Sequence, residues 1–550
     1  MSDLPEPLAP LAILLTARRN AADYYAPLLD SRNDVLRIGA WSALLDRNEV
    51  TYAQYPAILA LAASNPGIRR RAIRHFMAWW DDDFARPALD AAPPSDSNFE
   101  TALSRAELAA DEPAMIAAQR EFYLATGLPD LLAGLVGLTE RAKGWRAALP
   151  TAVEQVALNP HDPHPLLQLF GLIHAGRDTG LIDGLVNLLQ EAGLQPAIAL
   201  LYASASRLLK GDPAGCLQGL GALAAMRTRP DVATALRTRA LEFSGEAHDK
   251  LGDYRKSYAA FAELNKIDQG KPYDLGELER TVMGNARLAV PPLPPDGRSE
   301  TLVMTGFPRS GTTLLENALA AHPAIETFEE IPSWSSLQLY LDLMLPTLTA
   351  NANLAPVLLR ARERYYVEID RLRRKPDASA LIDKMPIRAA DAVFFQRLFP
   401  DKRVIFSIRH PFDVVLSCFK QQFVRNMAME HFRTFENAAK LYDFTMSQWF
   451  SAYSFDDPRV HYLRYDSLVL EFEPSMRGVF AFLGLDWDAG VLDFARGAET
   501  RGARTPSYMK VRQGLTIGVQ SNWRNYGFLF QSDAARPLRK WVAHFGYEGL

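Results

Sequence analysis

Cysteine is nearly absent from this sequence: Cys216 and Cys418 are the only two in 550 residues. Two such isolated residues build neither a metal-ligand set nor a disulfide framework, and a reducing cytoplasm suits them best. An excess of one charge is also lacking. The formal net charge is −4, whereas chains that bind nucleic acid non-specifically usually carry a strong basic surplus. No apolar run approaches the uncharged length of a membrane helix. The opening stretch, MSDLPEPLAPLAILLTARRN, places Asp3 and Glu6 before a short apolar run. A signal peptide would begin with positive charge, so none is expected. The fourth absence is local. In GFPRSGTTLLENALAAHP, Gly306 to Pro323, a glycine-rich turn has Thr312 where a nucleotide-binding loop has lysine.

The length exceeds one compact core, so two or three domains are expected. Prolines punctuate the chain at DAAPPSDSN (Asp90 to Asn98), read as a loop, and more strongly at ARLAVPPLPPDGRSE (Ala286 to Glu300). Proline cannot sit in helix interiors, so the main boundary is placed there: a helical domain over 1–287, a linker over 288–300, and a second domain over 301–550. Before the linker, alanine and leucine recur at helical spacing. LIDGLVNLLQEAGL, for example, aligns Leu181, Leu185, Leu188 and Leu189 on one stripe. In EFSGEAHDKLGDYRKSYAAFAELNKI, Gly252-Asp253 would turn the chain. Tyr254, Tyr258 and Phe261 would then pack the second helix on the first. This hairpin resembles a tetratricopeptide repeat, and stacked helix pairs are expected up to about residue 285.

After the linker the pattern changes. TLVMTG, ALIDKMP, RVIFSIRHP and VHYLRYDSL are short apolar runs that end in polar residues and alternate with helical segments. This is the pattern of a parallel α/β sheet, whose ligands bind beyond the carboxyl ends of the strands. The turn Gly306–Thr313 lies between such a strand and a helix. Its backbone N–H groups and the helix dipole form an anion site. Arg309 adds charge, and Ser310, Thr312 and Thr313 add hydroxyls. A tight turn with a hydroxyl helix cap is the plainer alternative. Without the lysine that grips β- and γ-phosphates, the loop suits a phosphate outside a triphosphate.

PRSGTT following a strand resembles the 5′-phosphosulfate loop of sulfotransferases that use 3′-phosphoadenosine 5′-phosphosulfate (PAPS). RHPFDVVLS resembles that family's 3′-phosphate motif, with Arg409 at the strand exit and Ser417 eight residues on. DKMP is similar to the lysine motif of bacterial members with N-terminal helical repeats. YDSL resembles the family's adenine-proximal motif. VRQG followed by SNWRNY resembles its late basic loop, and HP followed by EE is similar to tyrosylprotein sulfotransferases. The matches span about residues 300 to 530. Departures occur at Asp466-Ser467, at Gln513 and at Asn522, where the family carries Glu-Asp, lysine and a basic residue.

The resemblance implies a P-loop-type parallel-sheet sulfotransferase domain behind an all-α, tetratricopeptide-like one. It implies PAPS as co-substrate and no metal. Glu330 is expected as the base, with Glu329 as its alternative, and Lys384 at the bridging oxygen. Arg309, Ser310, Gly311, Thr312 and Thr313 would hold the 5′-phosphosulfate. Arg409, Ser417, Arg512 and Arg524 would grip the 3′-phosphate, and Tyr465 would meet adenine. An Arg409–Asp413 pair is the competing expectation at that strand exit, and His410 is read as structural.

The acceptor is not encoded in these motifs. A peptide tyrosine, a saccharide and a small-molecule hydroxyl all remain open, and helical repeats suit either an extended peptide or a homodimer. RARERYYVEIDRLRRKP, Arg360 to Pro376, reads as a helix with an Asp370–Arg374 pair; an acidic peptide or anionic saccharide is its functional alternative. Two other classes compete: a phosphoryl-transfer enzyme with an altered loop, which the missing lysine opposes, and an inactive scaffold, which Arg309, Glu330, Lys384 and Arg409 oppose.

Overall fold

A computed structural model describes residues 7–8, 11, 21–47, 49–50, 54–78, 106, 111–226, 230–267, 273–288, 291–345, 353–493 and 522–548. The proline loop expected at Asp90–Asn98 lies outside them. The chain forms two compact units, Met1–Leu251 and Gly252–Leu550.

The first unit is all helical among its described residues. Local sequence sets the helix starts. Asp111, Asp162, Asp178 and Asp212 each accept a backbone N–H one turn ahead or nearer, and three of the four stand just before a proline-containing first turn. The carboxylate satisfies an orphan donor, and proline has no N–H to leave unpaired. Gly127 and Gly193 end their helices with φ of 64° and 67°, the left-handed turn that glycine adopts without strain. Short turns pack each helix on its neighbour in sequence from Glu112 to Lys250. All four leucines of the Leu181–Leu189 stripe are buried. Phe170 stacks on Tyr202 at 4.2 Å within the same core.

The second unit holds a five-stranded parallel sheet in the order β2-β3-β1-β4-β5. Its strands are β1 (Thr301–Gly306), β2 (Ile325–Glu329), β3 (Ala380–Lys384), β4 (Val404–Ile408) and β5 (Val460–Arg464). The four apolar runs singled out in the sequence are β1, β3, β4 and β5. β2 is an addition: ETFEE is not among those runs. Its glutamates break the apolar run that marks a buried strand, and it is an edge strand with only β3 as neighbour. The central strands β1, β3 and β4 are buried along their whole length, as a parallel sheet covered on both faces requires.

The unit boundary falls before the expected one. The helices Tyr254–Lys266 and Leu275–Ala286 are tied into the sheet unit, not into the helical one. Asn265 donates to the Phe419 carbonyl at 2.9 Å and Tyr526 to Ser257 at 2.8 Å. Arg397 donates to the Ala286 carbonyl at 2.8 Å. Tyr258 stacks on Phe419 at 5.0 Å, and Tyr254 meets Tyr526 at 5.2 Å. The expected hairpin is therefore divided: its first helix belongs to one unit and its second to the other. The proline-rich stretch is no free linker either. Leu293 is buried and donates its N–H to the Arg397 carbonyl, while Arg362 donates to the Pro294 carbonyl.

Candidate functional site

β1 lies between β3 and β4, so the strand order reverses beside it. The crevice at such a reversal is where parallel sheets bind ligands. The loop 307–311 leaves β1 at this point, and the helix Thr312–Ala320 follows it. Gly311 stands at the helix start with φ of 103°. A Cβ there would overlap the Tyr465 ring, so only glycine fits. A Cβ on Gly306 would lie 2.7 Å from the Ser407 carbonyl oxygen. Arg309 also has positive φ, 71°, in a left-handed conformation that costs a side-chain-bearing residue energy and concentrates at functional sites.

The side chains converge as follows. Arg309 donates from Nε to Ser417 Oγ at 3.0 Å, and burial pulls the guanidinium pKa down. Arg409 lies 4.6 Å over the Tyr465 ring and reaches the Arg309 carbonyl at 3.4 Å. Arg309, Arg409, Ser417 and Tyr465 therefore form one cluster. Ser310 Oγ and Arg409 Nε are buried with no hydrogen-bond partner. Buried polar groups are normally satisfied, and two orphan donors on residues of this crevice fit an anionic ligand. Thr312 and Thr313 are buried at the start of the helix.

Lys384 ends β3 and is 0% exposed. Its ammonium lies 3.2 Å from Glu316, 3.3 Å from Glu329 and 3.2 Å from Glu330. Burial works against the ammonium, but the three carboxylates outweigh it and its pKa is raised. Burial is likewise the main influence on Glu316, whose carboxyl is pushed up to about 7; Lys384 opposes that rise, while Glu329 and Glu330 add to it. Glu329 pairs in register with Lys384, and Glu330 follows with φ of 49°.

Two contacts differ from expectation at the cofactor end. Asp413 does not pair with Arg409: its Oδ1 accepts the Trp523 N–H at 3.1 Å, and its Oδ2 has no partner. Arg524 pairs with Glu548 at 3.0 Å and stands 4.9 Å over the Trp523 ring. The helix beyond β4 begins at Pro411, with His410 as its cap accepting the Phe412 N–H. That contact and a 3.2 Å bond to the Glu548 carbonyl give His410 the structural part expected of it. Arg512 lies outside the described residues.

Residues 302–489 match the model of the sulfotransferase family. The chain carries a sulfotransferase-family domain. A curated relative from Aquifex aeolicus (strain VF5), described as an uncharacterized protein, is 24% identical over 298 residues, covering 50% of this chain and 38% of the relative. The chain thus spans well under half the length of the relative it matches. Among solved structures, the sulfotransferase domain of the Synechococcus PCC 7002 olefin synthase aligns at 19% identity. It covers 46% of this chain and 98% of its own, with a TM-score of 0.34. A sulfotransferase from Mycobacterium avium aligns at 14%, covering 59% of this chain and 98% of its own, with a TM-score of 0.31. Scores this low add nothing about substrate or mechanism.

Within the sulfotransferase domain, Glu316 is the site residue that sequence reasoning missed. One signal was present: it is the lone acid in TTLLENALAA, one turn after Thr312 and surrounded by residues that pack inward. The basic helix gave the opposite outcome. It spans Ala355–Leu372, and Asp370 pairs with Arg298, not Arg374. Arg360 pairs with Glu363 and Arg371 with Glu368. Arg362 and Arg373 serve backbone carbonyls. These four cations have structural partners. Among the described residues, no helix is long and apolar enough to cross a membrane.

Proposed function

We propose that this domain transfers a sulfuryl group from PAPS to an acceptor hydroxyl. One observation carries the reading: a fully buried lysine from a neighbouring strand, Lys384, stands among carboxylates in the same sheet crevice as a phosphate loop that has Thr312 in place of lysine. A loop built for a triphosphate carries its own lysine. Here the cation comes from β3.

PAPS, when bound, supplies the sulfuryl group and a phosphate leaving group. Ser310, the backbone around Gly311, Thr312 and Thr313 suit its 5′ end, with Arg309 neutralising charge. Arg409 and Ser417 suit the 3′-phosphate, and Tyr465 suits the adenine side. Arg512 and Arg524 belong to this proposed grip as well; for Arg524, that requires giving up Glu548. Transfer gathers charge on the bridging oxygen, where the Lys384 ammonium would donate a hydrogen bond. Glu330 would take the acceptor proton, because its side chain is the most exposed of the three carboxylates at 40%. Glu329 is its neighbour and competitor. Peptide tyrosine is the acceptor favoured by the paired glutamates; a saccharide or small-molecule hydroxyl is the second class. A cytoplasmic setting and a homodimer belong to the same proposal.

The test is binding followed by transfer. 3′-Phosphoadenosine 5′-phosphate (PAP) is expected to raise the melting temperature without magnesium, and ATP to do much less. Labelled sulfate from PAPS should then pass to one class in a panel of tyrosine peptides, glycans and phenols. A magnesium-dependent shift with ATP and none with PAP would favour phosphoryl transfer.

A further inference from the structure

Lys384 has three N–H bonds and three carboxylates within 3.2 to 3.3 Å. The three acids are not equivalent. Glu330 and Glu329 leave the end of β2, with side chains 40% and 14% exposed. Glu316 comes from the other side, from the helix that starts at the phosphate loop, and its side chain is only 7% exposed. If Lys384 is to meet a leaving oxygen, it must release one carboxylate. Glu330 can swing into solvent. Glu316, packed in a buried helix turn, cannot follow.

Charge makes the second argument. With every group ionised, one ammonium faces three carboxylates, leaving two uncompensated negative charges in a buried site meant for an anion. Buried charge without a partner is costly, and a carboxyl in that position takes up a proton instead. The groups that face this centre are Glu316 from the helix, Glu329 and Glu330 from the β2 exit, and Lys384 from β3. Glu316 is the most deeply buried of the acids and holds its proton up to about pH 7.

The geometry points to Glu316 as a positioning residue that anchors the Lys384 ammonium to the phosphate-loop helix and limits the negative charge an anionic donor meets. This rests on the proposed reading of the crevice as the PAPS site. Donor binding should then weaken as Glu316 ionises. Glutamine in its place keeps the shape and the neutral state at every pH.

The test compares PAP affinity in the full-length protein and in Glu316→Gln at pH 6 and pH 8 by calorimetry. PAP's own phosphates titrate equally in both and cancel. The two proteins should bind alike at pH 6, and the wild type should bind up to about tenfold more weakly than the variant at pH 8. Parallel profiles overturn the role of Glu316. Infrared difference spectra of the wild type against the variant give a check that needs no donor. A protonated-carboxyl band should be present at pH 6 and lost by pH 8, and its absence overturns the assignment even if the variant is poorly folded. A band accompanied by no PAP binding in the wild type overturns the donor reading and with it the charge role.

Discussion

Glu330 donates its backbone N–H to the carbonyl of Lys384 at 3.0 Å. This carries the β2–β3 pairing one residue past Glu329. The main chain therefore fixes the proposed base beside the proposed leaving-group donor, whatever their side chains do. Glu330 itself has a left-handed φ of 49°, and its carboxylate lies 3.2 Å from the Lys384 ammonium. Proton transfer needs such fixed geometry before it needs a tuned pKa.

Glu330→Gln should keep PAP affinity and lose transfer by about 10²- to 10⁴-fold. Calorimetry with PAP and a labelled-sulfate assay measure the two halves separately. Unchanged transfer would move the base to Glu329.

Lys384→Ala should destabilise the domain by about 3–5 kcal/mol, because it strands buried carboxylates around an empty position. Urea denaturation at pH 7 reads this directly. The loss should shrink at pH 5, below the value of about 7 to which burial raises the Glu316 carboxyl. A variant as stable as the wild type at both values would mean that the three carboxylates are not held in place by the ammonium.

Gly311→Ala should cost about 1–3 kcal/mol and abolish the PAP-induced melting shift. Two causes combine: a φ of 103° that alanine resists and an overlap with the Tyr465 ring. Adding Tyr465→Ala removes the overlap but not the strain, so stability should return only in part. Full recovery would show that the backbone conformation costs nothing.

The stability profile should also report Glu316. Its folded carboxyl titrates near 7 against an ordinary 4.5. A raised carboxyl stabilises the folded state below the lower value and loses that contribution as pH climbs to the higher one. The melting temperature of the wild type should therefore fall relative to Glu316→Gln between about pH 4.5 and pH 7. Thermal melts in a buffer series measure the gap, and a constant difference across the window would contradict a buried, protonated Glu316.

The apolar runs at β1, β3, β4 and β5 were legible because a central parallel strand must be apolar on both faces. The strand-to-helix turn after β1 was legible because its glycines are local. β2 was not, since an edge strand tolerates Glu326 and Glu329. The domain boundary misled for a related reason. Tyr254, Tyr258 and Phe261 mark an inward helix face, but nothing in their spacing says which neighbour that face will meet.

The sequence by itself determined most of the elements and the glycine-rich turn after β1, because capping, periodicity and turn chemistry act within a few residues. Only the tertiary structure decided which charges meet. Glu316, Glu329, Glu330 and Lys384 come from a helix and two strand ends and converge through the parallel register of β2 and β3. Burial then pushes the Glu316 carboxyl up. Desolvation depends on what packs around a group, and that is a property of the fold, not of the local sequence.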